Sequence, residues 1–328
     1  METALRPRNL GEILDRTAQL YREHFLLFAG IAAIYAGIAM VLNLIAIGLA
    51  EALRAFHLDV QLRWVVLLFS GFAFLLTILF GNVATAANNR AVAWVHLGEP
   101  AIIGGAYRSI LPKLGRYLWL GVLKTFFAWT PLIVLYAGFI GTSLYFVSKG
   151  VLAHADSTPH AAGQIDPSLI AFIMIMGVIG LLMIPALIYG TMMALRYALA
   201  VPACIVENLK ARQAIRRSIE LSKGARGSIF VLCLLVGFIA LALILFTQGF
   251  FIVYGFKHHH QIPVGLRILQ QMIGFFTNTF VAPILATGIT LFYYDQRVRK
   301  EGYDIEWMMQ AAGLAAPEPQ QNPGAAHE

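Results

Sequence analysis

Long apolar stretches without a charge alternate with short basic segments along the chain. The uncharged runs are Phe25–Ala50, Trp64–Asn89, Thr125–Ser148, Pro167–Leu195, Gly227–Phe256 and Ile268–Tyr294, between 24 and 30 residues each. A helix needs about 20 predominantly apolar residues to cross the hydrocarbon core of a bilayer. The pattern therefore predicts six membrane-spanning helices. Ahead of the first run, Leu10, Ile13, Leu14, Thr17, Tyr21 and Phe25 recur at helical steps, with Glu12, Asp15, Arg16, Gln19 and Arg22 on other faces. That spacing predicts an amphipathic helix at the membrane interface.

The same plan recurs twice more. A basic amphipathic segment starting at Ala106 leads into the third run, and another starting at Ala214 leads into the fifth. Arg108, Ser109 and Ile110 align with Arg217, Ser218 and Ile219. The expectation is an all-α polytopic protein: one six-span domain over 1–309, made of three elbow-plus-hairpin units at 8–89, 100–203 and 211–294. The segment 310–328 has three prolines and few bulky residues, and reads as a disordered tail.

Composition agrees with the pattern. Of 328 residues, 59% are hydrophobic and 12% charged, with a mean hydropathy of +0.72. Soluble domains carry about 25% charged residues. A soluble enzyme, a disordered chain and a disulfide-stapled secreted domain are excluded. Charge then supplies orientation. Of 24 Lys and Arg residues, 17 fall in the N-terminal segment, the 90–116 and 204–226 loops and the C-terminal segment; only Arg54, Arg63, Lys149, Lys257 and Arg267 lie in the opposite set. The positive-inside rule places both termini in the cytoplasm. The net charge of +7 is then a topology signal and an attraction to anionic headgroups of membrane lipids, not a nucleic-acid footprint. The first apolar run is too long for a cleavable signal, so residues 1–24 read as a retained cytoplasmic element.

Candidate chemistry is sparse. Lys124 and Arg196 lie at or inside span ends, where charge is expensive. They either snorkel to the headgroups and pair with Glu207 and Asp295, or bind a lipid phosphate or other anion. The span interiors hold no Asp or Glu, which disfavours a proton relay. Pro131, Pro185 and Pro283 interrupt spans three, four and six, and Pro202 sits near the inner end of an extended fourth helix. Ala186, Gly190, Ala194 and Ala198 line one face of span four with small side chains, suited to close packing. Asn43, Asn82, Gln248, Gln271 and Asn278 are candidates for hydrogen bonds across helices. Cys204 and Cys233 read as packing residues. His154, Asp156, His160, Asp166 and His258–His260 read as solvated loop, with no metal-ligand spacing. The chain has no phosphate-cradling glycine loop, no nucleophile elbow and no zinc-protease helix, so no catalytic residue and no cofactor is expected.

Three stretches carry a family resemblance: RNLGEILDRTAQLYREHFLLF at Arg8–Phe28, ALRYALAVPACIVENLKARQAIRRSIELSKG at Ala194–Gly224, and LFYYDQRVRKEGYDIEWMM at Leu291–Met309. Together they resemble the bacterial glycerophosphoryl diester phosphodiesterase membrane domain family. The resemblance implies a helical module in the bacterial inner membrane. It implies no phosphodiesterase activity, because the chain has no segment matching the catalytic barrel that some relatives carry. The motif residues are Glu207, Arg217, Asp295, Arg297 and Arg299. The expectation is that Glu207, Arg217, Asp295 and Arg297 form a polar network tying the 204–226 elbow to the end of span six. The functional expectation is a non-enzymatic, lipid-associated or scaffolding membrane module at the inner leaflet. The alternative is a transporter or export-related permease with a site between hairpins.

Overall fold

A computed structural model describes residues 7–56, 63–149, 167–257, 262–303 and 305. The described residues form an all-α fold. In chain order the helices are α1 (Leu10–Glu23), α2 (Phe25–Ala55), α3 (Arg63–His96), α4 (Ile103–Ile110), α5 (Leu114–Ser148), α6 (Pro167–Arg196), α7 (Ala200–Val206), α8 (Ala211–Ser222), α9 (Arg226–Lys257) and α10 (Val264–Glu301), with a single 3-10 turn at Leu111–Lys113 before α5. Six of them are long and apolar enough to cross a membrane: α2, α3, α5, α6, α9 and α10. At about 1.5 Å per residue they run roughly 45–57 Å, beyond a hydrocarbon core of about 30 Å. Their outward faces are apolar: Phe74, Leu181 and Phe246 are 66%, 68% and 86% exposed. Such surface is costly against water and is at ease against lipid.

The three elbow helices form where their amphipathic periods predict. Asn9 and Glu12 close a reciprocal capping box at the start of α1, and the chain breaks at His24 before restarting as α2. Ile13, Thr17 and Leu20 are its buried face. α4 begins before the expected Ala106 and stops at the Pro112 turn. α8 ends at Ser222 and the chain turns through Gly224, whose φ of +78° is a left-handed conformation open to glycine. A hydroxyl ties each elbow to the backbone of a long helix. Tyr21 donates to the Phe280 carbonyl (2.7 Å), Tyr107 to Ile31 (2.8 Å) and Ser218 to Arg196 (2.7 Å). The Arg196 carbonyl is one of the orphan acceptors at the end of α6, so the Ser218 bond satisfies a group the helix cannot.

The helices group into two compact units. The first holds 1–110 and 227–328, the second 111–226. In the first, α2, α3 and α1 pack on α10. From Ala286 to Gln296, α10 is buried on every face. Its Thr290 hydroxyl lies 3.0 Å from Asn89 Oδ1 on α3 and 2.9 Å from its own Ala286 carbonyl. In the second, α5 and α6 pair along their lengths, and α7 and α8 pack at one end. A Cβ added at Gly190 would stand 2.8 Å from the Trp129 ring and 3.2 Å from the Ala128 carbonyl, so the small-residue face of α6 does admit a close neighbour.

Two readings of the sequence need correction. Pro202 is not inside an extended fourth helix. The chain turns at Tyr197–Leu199, and Pro202 lies in the first turn of the separate α7, where its missing N–H costs no helical bond. Asn43, Asn82 and Asn278 do not reach across helices. Each side chain donates to the carbonyl four residues earlier in its own helix, Ala39, Ile78 and Gly274. The local acceptor is always within reach, whereas a cross-helix one needs a facing partner.

Candidate functional site

The first unit has two ionic clusters: Glu51 with Arg54 at 2.7 Å and Arg267 at 3.0 Å, and a more buried one where the end of α10 meets the chain leading into α1. Asp295 is buried, with 6% of its surface exposed. Its Oδ1 accepts the Arg8 backbone N–H at 2.7 Å; its Oδ2 accepts Arg299 Nε at 2.8 Å and Gln296 Nε2 at 3.1 Å. The Arg299 guanidinium also donates to the Arg8 carbonyl. Both backbone groups of Arg8 are thus held by one ion pair on α10. A buried carboxylate needs this donor set to remain charged away from water. One helical step on, Arg297 pairs with Glu301 at 3.2 Å and lies over the Tyr303 ring at 3.9 Å.

Beside this clamp is a small hollow lined by Arg8, Asp295, His96 and Tyr294, with Ile13 and Leu291 on its apolar side. It has room for about one water molecule. The His96 and Tyr294 rings are 5.0 Å apart. His96 Nδ1 and the Tyr294 hydroxyl have no hydrogen-bond partner among the described residues. Arg90, one turn before Trp94 on α3, lies 4.9 Å over that indole.

The second unit has its own cluster, built on the turn between α7 and α8. Arg217 Nε meets both carboxylate oxygens of Glu207, at 3.0 and 2.9 Å. This ion pair, one N–H shared between the two carboxylate oxygens, closes the turn from α8 back onto the end of α7. Inside it, Asn208 holds a φ of +53°, the left-handed conformation that asparagine tolerates better than most residues. Cys204 is buried at the same turn, its thiol donating to the Leu209 carbonyl at 3.2 Å. At the start of α5, Lys113 Nζ is 2.5 Å from Asn208 Oδ1, and the Arg116 guanidinium is 2.8 Å from that oxygen and 2.9 Å from the Asn208 carbonyl.

The sequence-predicted residues distribute as follows. Glu207 and Arg217 pair within the second unit, and Asp295 and Arg299 pair within the first, with Arg297 beside them on Glu301. Arg196 reaches the Met193 sulfur at 3.7 Å, and Lys124 is half-buried on α5. The carboxylates named as their partners are engaged otherwise, Glu207 by Arg217 and Asp295 by Arg299 and the Arg8 N–H. His154, Asp156, His160, Asp166, His258–His260 and the tail beyond 310 lie outside the described residues. Among the described residues, no three His, Cys, Asp or Glu gather as a metal centre would need. Sequence reading missed His96, Asn89, Thr290 and Asn208, and gave Tyr294 no role beyond its place in the Leu291–Met309 stretch. Nothing local marks them, because each acquires its role from a residue tens to hundreds of positions away.

The fold and its clusters define a class: an all-helical polytopic bundle, with six candidate membrane-crossing helices and ionic clusters at helix ends. Comparison of the chain with known protein families, with curated proteins and with solved structures finds no match.

Proposed function

We propose that the chain is a non-enzymatic integral membrane module that associates with anionic lipid at the inner leaflet of a bacterial cytoplasmic membrane, with both termini on the cytoplasmic side. One observation carries this reading. Most of the basic side chains, with the Glu207–Arg217 and Asp295–Arg299 pairs, lie at one set of helix ends, namely the start of α1, the end of α3, the start of α5, the turn before α8 and the end of α10; the opposite ends hold a smaller cluster, Arg54 and Arg267 on Glu51, and the faces between are apolar. If each long helix crosses once, connectivity puts those ends on the same side of the membrane. Seventeen basic residues on one side against five on the other then define that side as cytoplasmic.

The resemblance to the glycerophosphoryl diester phosphodiesterase membrane domain family supports the same reading. Its three stretches coincide with the elements that build the clusters: Arg8 and α1, the α7–α8 turn with Glu207 and Arg217, and the end of α10 with Asp295 and Arg299. Elbow helices at this level bury one face in the leaflet and present Lys and Arg to phosphate, worth about 1 kcal/mol per basic residue near the surface.

The test is lipid retention. Protein reconstituted in vesicles of phosphatidylglycerol and phosphatidylethanolamine, then extracted in a neutral detergent, retains phosphatidylglycerol enriched roughly twofold or more over its bulk share. Retention equal to the bulk share overturns the proposal.

A further inference from the structure

The turn between α7 and α8 gathers cations in a way that the fold alone does not require. Lys113 Nζ and the Arg116 guanidinium converge on a single neutral oxygen, Asn208 Oδ1, at 2.5 and 2.8 Å. Two full positive charges therefore sit within about one side-chain diameter of each other. The carboxylate nearest in sequence, Glu207, is taken by both oxygens into the Arg217 pair. Among the described residues, neither Lys113 nor Arg116 has a carboxylate within ion-pair distance.

Position sharpens the imbalance. Lys113 is the N-cap of α5 and Arg116 its third residue, and no side chain caps that helix start. The first turn of a helix carries partial positive charge from its unpaired N–H groups, so it favours anions and disfavours cations. Three sources of positive potential thus meet on one amide oxygen. An amide accepts hydrogen bonds but cancels no charge. A phosphate supplies several acceptor oxygens together with the missing negative charge.

We infer that Lys113, Arg116 and the Asn208 turn form a binding site for a terminal phosphate, the group shared by the headgroup of a phosphatidic-acid-type lipid and by free inorganic phosphate. The inference deepens the lipid-associated reading above and rests on it for the side of the membrane. The cations swing from the amide to the phosphate, Asn208 stays as the floor of the site, and the Glu207–Arg217 pair holds the turn in place. That pair is a positioning element and does not touch the ligand.

The test uses the full chain in neutral detergent micelles, titrated with dihexanoyl phosphatidic acid, dihexanoyl phosphatidylcholine and inorganic phosphate, with heat of binding as the readout. Wild-type protein binds phosphatidic acid in preference to phosphatidylcholine. The double substitution Lys113→Gln/Arg116→Gln weakens that binding by about tenfold or more, the scale of losing strong charge-assisted contacts. Arg54→Gln/Lys149→Gln, from the opposite basic set, leaves it unchanged. An unfolding transition matching wild type in the same micelles shows that the double variant is folded; where it is not, Lys113→Gln and Arg116→Gln are read singly, each expected to weaken phosphatidic acid binding, and undiminished binding in both overturns the site. Saturable binding of inorganic phosphate at comparable strength identifies a soluble ligand, and binding confined to phosphatidic acid identifies the lipid. Equal binding of phosphatidic acid and phosphatidylcholine with none of phosphate overturns the site. Undiminished binding in the folded Lys113→Gln/Arg116→Gln protein also overturns it, and leaves the vesicle-retention result for the whole module standing.

Discussion

Replacing Asp295 tests how the two ends of the first unit are joined. The carboxylate accepts three donors, but they differ in weight. Gln296 is its chain neighbour and contributes little to tertiary structure. Arg299 is one turn away on the same helix and 43% exposed, so that pair is worth only about 0.3–0.5 kcal/mol. The Arg8 N–H crosses 287 positions of sequence to a buried charge, and a hydrogen bond to a charged group contributes about 1.5–3 kcal/mol. Asp295→Ala is therefore expected to cost about 2–3 kcal/mol. Asp295→Asn retains one acceptor for Arg8 but turns an amide N–H₂ or a neutral oxygen toward Arg299, and is expected to cost about half as much. Arg299→Ala removes the weak pair and the bond to the Arg8 carbonyl, for about 1 kcal/mol. Reversible unfolding in mixed detergent micelles measures the three values. Hydrogen exchange of the peptide spanning Arg8 to α1 gives an independent local reading, with the Arg8 amide losing protection in both Asp295 variants. An Asp295→Ala protein within about 0.5 kcal/mol of wild type, with Arg8 still protected, would refute the clamp.

Three further outcomes follow from the same structure. Burial pushes the Tyr21 hydroxyl up to about 12, and this hydroxyl holds α1 to the Phe280 carbonyl. Because the folded value lies above the unfolded one of about 10, the stabilisation is complete below pH 10 and disappears as pH rises toward 12; the stability gap between wild type and Tyr21→Phe should close over that interval, and a pH-independent gap would contradict it. Gly190→Ala drives a Cβ against Trp129 and the Ala128 carbonyl, and overpacking of about 1–3 kcal/mol should exceed the roughly 1 kcal/mol gained in helix propensity. Gly180→Ala on the same helix meets nothing within 4 Å and should be neutral or stabilising, so equal effects at the two glycines would sink the close-packing account. In a Cys204→Ala/Cys233→Ala background, Arg212→Cys should react with a membrane-impermeant maleimide only in inverted vesicles and Lys149→Cys only in right-side-out ones; the reverse labelling would invert the proposed topology.

Much of the architecture is written in local pattern. Apolar runs of 24–30 residues can only be long helices in an environment without competing water, and α2, α3, α5, α6, α9 and α10 appear over them. The elbows were legible for the same reason, because a helical period with polar faces is a property of consecutive residues, and α1, α4 and α8 follow it. Glu207, Arg217, Asp295 and Arg299 stood out as charges in interfacial segments. Which charge meets which did not. Glu207 faces Arg217 because the α7–α8 turn is tight, and Asp295 faces the Arg8 backbone because α1 packs on the end of α10.

By itself, then, the sequence determined the helices, their apolar outer faces, the short amphipathic helices and the asymmetry of basic charge. All of these depend on neighbours within a few turns of helix. Only the tertiary structure decided that Ala286–Gln296, near the end of α10, is buried on every face, and that α4 packs with the first unit while α5, three residues further along the chain, belongs to the second. It also decided that Lys113 and Arg116 close on Asn208, more than 90 positions away. The physical reason is the same in each case. Burial and ion pairing depend on what packing brings alongside, and in a chain so uniformly apolar many partners look equivalent until the helices have found their neighbours.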